Sequence, residues 1–256
     1  MAYNLGLNVD PRTWDIPSLE QKRRKRLWWA VYVYDKWFLL LGLMHGLNLT
    51  PILPRSATAL GRPSLVDDSQ MDVEPLLESD FMEGNCDGVE TDVPLQYRTS
   101  VSMASLSIIL SDLLKTFYTI KSKQEWLKHR SAEKLFSEYA RLDRSLTSWE
   151  EESLIPLLQV RAYPDPIGSI ILAYHTLRVI LYRAVLLKLE RLETDASLII
   201  DKAFAVSSDA ISFVQNLTMS QMSAFWWPCE SYPFQDEIAS LWGKILPPIS
   251  YSLLIL

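Results

Sequence analysis

Apolar residues recur at spacings of three and four through most of the chain, and that period decides the fold class before any other feature does. The clearest instance lies between Ser131 and Ser153, where Leu135, Tyr139, Leu142, Leu146 and Trp149 share one side and charged residues take the other. Leu27, Val31, Tyr34 and Phe38 repeat in the same way after Ser18, which forms a capping-box pattern with Gln21; a helix over about 18–41 is expected. Val101, Leu106, Ile109, Leu113, Phe117 and Ile120 predict a second long helix ending near Trp126. Asp165-Pro166 is placed to open another, and residues 170–192 are apolar on most of their circumference, as a helix packed on several sides would be. A last helix over about 195–217 carries Leu198, Ala203, Val206, Ala210 and Phe213 on one side. Strand alternation is nowhere sustained, so the expected class is all-α, an irregular multi-helix bundle.

The period fails between Thr50 and Pro94. Prolines, the Gly61-Arg62-Pro63 turn and scattered acids predict a long loop with short helical turns there. Loops of that length in a compact domain are usually functional or poorly ordered. The uncharged stretch from Trp37 to Pro54 sits at the lower limit of about 17 residues that a membrane-spanning helix needs. His45, Asn48, Pro51, Pro54 and two glycines would leave polar groups and broken backbone in hydrocarbon, so no membrane partner is expected.

A hydrophobic share of 48% with 22% charged residues is a globular composition. The net charge of −6 argues against a surface built to neutralise phosphates. Cys86 and Cys229 stand far apart and single, giving neither a disulfide framework nor a zinc-ligand spacing. The N-terminus lacks a charged start followed by a long apolar run, so secretion is not expected.

Three groups of residues invite a chemical reading. Lys22-Arg23-Arg24-Lys25-Arg26 could serve nuclear import or contact phosphate; on a helix, though, consecutive residues point all round the axis, and a solvated, salt-bridged helix start is the plainer reading. Asp67-Asp68-Ser69-Gln70-Met71-Asp72 resembles in composition the magnesium motif of all-helical diphosphate-cleaving synthases. It lacks the second carboxylate set such a site requires across the cavity. His45, His129 and His175 fall in unrelated segments with no acid or cysteine at ligand or triad spacing. No catalytic, cofactor-binding or metal-ligating residue is therefore assigned, and the chain is not expected to be an enzyme.

The succession Arg26-Leu27-Trp28-Trp29-Ala30-Val31-Tyr32, Asp35-Lys36, Leu60-Gly61-Arg62-Pro63-Ser64-Leu65-Val66 and Asp72-Val73 resembles the signature of the fungal-specific transcription factor domain. This is the middle homology region of zinc-cluster regulators, of the xylanolytic-activator type. Tyr174-His175 through Ile180, Leu181, Arg183 and Leu186 resembles a later helix of that family, and Ala224-Phe225-Trp226-Trp227 its aromatic stretch. Leu5-Gly6-Leu7-Asn8-Val9-Asp10 is similar to the segment before the double-tryptophan motif in members regulating nitrogen use.

The resemblance implies a regulatory domain over 1–227 of a nuclear protein that binds DNA through a six-cysteine, two-zinc cluster outside this chain, so that zinc belongs to the parent. Protein co-regulators, a homo- or heterodimer partner and a small-molecule effector are the partners it implies. A protein-binding fragment without DNA binding is the alternative. Arg26, Trp28, Trp29, Tyr32, Asp35, Gly61, Arg62, Pro63, Asp72, Tyr174 and His175 are its motif residues, expected to act structurally or in regulation, with Arg62 pairing to Asp67, Asp68 or Asp72. Residues 39–58 interrupt the family pattern as an insertion or translated intron, and 228–256 read as a non-homologous tail.

Overall fold

The computed structural model describes residues 2–46, 64–82, 93–192 and 196–223. Its helices are α1 (Ser18–Gly46), α2 (Leu95–Phe117), α3 (Ile120–Lys128), α4 (Ala132–Trp149), α5 (Ile155–Leu158), α6 (Ile167–Leu189), α7 (Ser197–Gln215) and α8 (Met219–Ser223). No strand occurs among the described residues, and the class is all-α.

The long apolar helix α6 is central, packing against α2, α4, α7 and α8. Ile170, Leu177, Leu181 and Val185 are fully enclosed on it. The Asp165 carboxylate accepts the Ile167 amide at 3.0 Å and starts the helix. Gly168 lets α8 approach: a Cβ there would lie 2.8 Å from Gln221 Cβ. Helices α2 and α6 are both long and apolar enough to cross a membrane, but much of each apolar surface is buried inside the bundle. Covering on several sides explains why their sequences are apolar nearly all round.

Two expected helices are divided. The one predicted to end near Trp126 stops at Phe117, because the Thr119 hydroxyl accepts the Ser122 amide at 3.1 Å and caps a new helix, α3. After α4 the helix widens into a π turn over Glu150–Leu154 before α5. Pro156 has no N–H to give to the ladder there, which breaks its register.

Helix α1 begins as expected but not with a capping box. The Glu20 and Gln21 amides bond to the Pro17 carbonyl, and the Gln21 side chain turns back to the carbonyls of Trp14 and Ile16 at 3.4 and 3.3 Å. The helix passes the expected end at Leu41 and continues to Gly46, so the first residues of the 39–58 segment extend it; 47–58 lie outside the described residues, as does 228–256. Its buried stripe also differs from the predicted one. Leu27 and Tyr34 are exposed, whereas Trp28, Trp29, Tyr32, Val33, Trp37 and Leu40 are buried. Large aromatics bury more surface than the aliphatic residues beside them and decide which face turns inward. On α7 likewise, Ile199, Ala203, Val206, Ala210 and Val214 form the buried line, with Leu198 exposed.

Candidate functional site

Helix α1, the loop over 64–82 and α2 meet at a junction that holds most of the described motif residues. Trp28 is fully buried and meets Tyr3 edge-on, ring centroids 5.7 Å apart. Trp29 donates its indole N–H to the Glu74 carbonyl at 2.8 Å and packs against Tyr32 at 5.1 Å. Trp37 donates to the Ser107 hydroxyl of α2 at 2.9 Å. The double-tryptophan motif is thus a core wedge, with Trp29 of the pair and Trp37 two turns on pinning neighbouring segments by their indole N–H groups.

One turn further along, Asp35 and Lys36 convert this apolar wedge into a polar clamp. Asp35 accepts the Ser64 hydroxyl and the amides of Leu65 and Val66, the latter two at 2.9 and 3.2 Å. Lys36, with only 3% of its side chain exposed, donates to the Ser64 hydroxyl and the Val66 carbonyl, each at 2.7 Å. Its ammonium also lies 3.1 Å from an Asp68 oxygen and 4.9 Å from the Tyr32 ring centre. The Asp68 carboxylate takes a hydrogen bond from Ser111 of α2 at 2.7 Å and pairs with Lys115. Burial pushes the Asp68 carboxyl up, but Lys115, Ser111 and Lys36 outweigh it and hold the group below its ordinary value. Burial, with the adjoining Asp68 charge, raises the Tyr32 phenol despite its bond to Ser111.

The amino-terminal segment closes the other side of the loop. Asp72 accepts the Asp10 amide at 2.7 Å, and Asn8 reaches the Gln70 carbonyl at 2.7 Å. Gly6 sits at φ 64°, where a Cβ would stand 3.1 Å from the Trp14 indole, so this turn requires glycine. The acids of the magnesium-like motif are therefore dispersed. Asp67 turns back on the Ser69 amide, Asp68 is shared by two lysines, and Asp72 holds the chain start. Gly61, Arg62 and Pro63, with the expected Arg62 pairing, lie outside the described residues.

The basic run is divided among partners, as a salt-bridged helix start requires. Lys22 donates to the Met82 carbonyl at 2.9 Å and Lys25 pairs with Asp80 at 2.8 Å. Arg24 bonds to Glu20 and lies over Trp14, and Arg26 lies over Phe81. These contacts lace the start of α1 to the far end of the loop and to the amino-terminal segment.

Tyr174 and His175 belong to a second centre, where α6 faces the π turn. Buried Tyr174 donates its hydroxyl to Glu150 at 2.7 Å, stacks on Trp149 and lies 5.7 Å beneath the Arg178 guanidinium. Burial first, then Glu150, raises its phenol. The half-buried His175 ring packs near Phe213 of α7, and burial with Arg178 nearby keeps the imidazole below its ordinary range. The π turn aims Glu150 inward at Tyr174, coupling α4 to α6.

Lys36, Ser64, Asp68, Ser111, Lys115, Glu150 and Arg178 complete these centres beyond the assigned motif residues. One of them had a legible signal: Trp29, Tyr32, Lys36 and Leu40 fall at helical spacing, which puts the lysine on the buried aromatic stripe.

Residues 1–48 match the family model described as the fungal specific transcription factor domain. The transcriptional activator protein DAL81 of Saccharomyces cerevisiae is 28% identical across 90% of this chain, which corresponds to 26% of its own length. An uncharacterised transcriptional regulatory protein of Schizosaccharomyces pombe is 22% identical across 94% of the chain and 32% of its own length. The ABC-transporter-regulating transcription factor of Aspergillus fumigatus is 27% identical across 61% of the chain and 15% of its own length. The chain therefore spans about a quarter to a third of the first two relatives. No solved structure matches it.

Proposed function

We propose that this chain, similar along nine-tenths of its length to a fungal transcriptional activator, is the regulatory part of a transcription factor controlling RNA polymerase II genes. The observation that carries the reading is this likeness, which extends well beyond the 48-residue family match. On the same reading the parent is nuclear and reads DNA sequence through a zinc cluster outside this chain. Nitrogen-use genes are the targets to which the Leu5–Asp10 resemblance points, and a co-regulator or second subunit receives the signal.

The physical device is the Asp35–Lys36 clamp. A junction of three segments joined by buried charges has discrete alternative pairings rather than a continuum, so a ligand or partner that prefers one pairing shifts the population between them. The shift cannot exceed that partner's differential affinity for the two states.

Fusion of the full chain to an unrelated DNA-binding module, upstream of a reporter in yeast, tests the reading. Reporter output should differ from the module alone, and Lys36→Met should alter that difference at equal protein level. A well-expressed fusion that leaves the reporter unchanged would overturn the transcriptional reading; if it still co-purified with regulators, the protein-binding alternative would stand in its place.

A further inference from the structure

A cleft of about 290 Å³ opens where the end of α2, α3, α4 and the last turn of α6 converge, sharing only Lys115 with the centres described above. Buried Phe117 and Leu135, with partly buried Trp126, supply its apolar wall. Lys115, Lys121, Lys134 and Lys188 line it with His129, against the acids Glu125 and Glu138. Both acids are already engaged: Glu125 lies 4.0 Å from Lys134, and Glu138 pairs with Arg141 at 2.9 Å. Lys115 is held by Asp68. Lys121 and Lys188 thus have no carboxylate within ion-pair distance among the described residues.

Lys188 is the unusual member. Its ammonium lies 4.6 Å from the Phe117 ring centre and 4.9 Å from that of Trp126, so its charge rests on two aromatic rings. The Trp126 indole N–H is buried and has no hydrogen-bond partner among the described residues. Burial, and secondarily Lys134, outweighs the opposing charge of Glu138 and holds the Lys188 ammonium below its ordinary range, so an anion arriving beside it relieves a cost the protein already carries.

We propose that this cleft binds a small organic anion, whose charged group pairs with Lys188 and Lys121 and whose apolar body packs on Trp126 and Leu135. Concave sites with an apolar wall and a few convergent polar groups are the usual form of small-molecule pockets. The wall includes α3, and the site lies on the same α2 helix whose Ser111 and Lys115 hold Asp68. Lys115 lines the cleft and binds the clamp acid, giving a direct physical link between ligand and clamp. A role as the effector site rests on the regulatory reading above; the binding itself does not.

Calorimetric titration of the purified full chain with benzoate at low salt tests the site, with benzylamine and inorganic phosphate as comparison probes. Benzoate is expected to bind saturably at one site, at least tenfold more tightly than either comparison probe, and more weakly as salt rises. Lys188→Met, which keeps an apolar stem, should weaken it at least tenfold. Lys121→Ser, at an exposed position in the first turn of α3, should weaken it severalfold. Absence of benzoate binding, equal binding of benzylamine or phosphate, or indifference to both substitutions would overturn the site. Binding that survives while the reporter fusion stays silent would retain the site and remove its regulatory meaning.

Discussion

Lys36 carries a full charge into a nearly closed environment, and its ammonium is tolerated there because Ser64, Val66, Asp35 and Asp68 surround it. Removing one partner of such a pair leaves the other uncompensated, which costs about 3 kcal/mol or more. Asp35 stays 3.6 Å from Lys36 when Asp68 is neutralised, so Asp68→Asn is expected to lower unfolding stability by less, about 1–3 kcal/mol, read as a shift in the urea midpoint with unchanged slope. The pH dependence has a definite sign. The folded-state pKa of Asp68 lies below the ordinary value of 3.8, so its stabilisation is complete above that value and is lost as pH falls through the lower folded pKa. Wild type should lose more stability than Asp68→Asn when the pH is lowered from about 5 to about 2, over the carboxylate range. Parallel acid limbs for the two proteins would show that the lysines do not hold this carboxylate.

At the scale of elements, a few side chains decide where helices stop. Thr119 separates α3 from α2 by taking the Ser122 amide, and α3 has no fully buried residue to hold it otherwise. Thr119→Ala should cost about 1 kcal/mol of local stability. Because α3 is short and peripheral, the loss should appear as faster hydrogen exchange over residues 120–128 with little change in α6. Unchanged exchange there would mean that packing of Trp126, not the cap, orders α3. The π turn works differently: Pro156 interrupts the ladder, and the displaced Glu150 finds the Tyr174 hydroxyl, so one proline and one carboxylate together join α4 to α6.

At the scale of the whole molecule, α7 and α8 present apolar side chains that are exposed among the described residues. Leu198, Ile200, Phe204, Met219 and Met222 are all exposed. An exposed apolar face of this kind should drive self-association. Sedimentation of the purified chain is expected to show concentration-dependent association that Phe204→Glu reduces; a monodisperse monomer for the unmodified chain would count against this reading of the face. The sequence by itself determined the all-α class, the approximate start of each long helix, the central place of α6 and the break in period over the described residues 64–82, because helical period, prolines and charge are local properties read directly from residue order. The four-residue spacing of Lys36 after Tyr32 was also there to be read. Tertiary structure alone decided which stripe of α1 turns inward, where α2 gives way to α3, and which acid meets which lysine. Those outcomes depend on contacts between residues tens of positions apart, such as Lys36 with Asp68 and Asp68 with Ser111, and no local period encodes a partner at that distance.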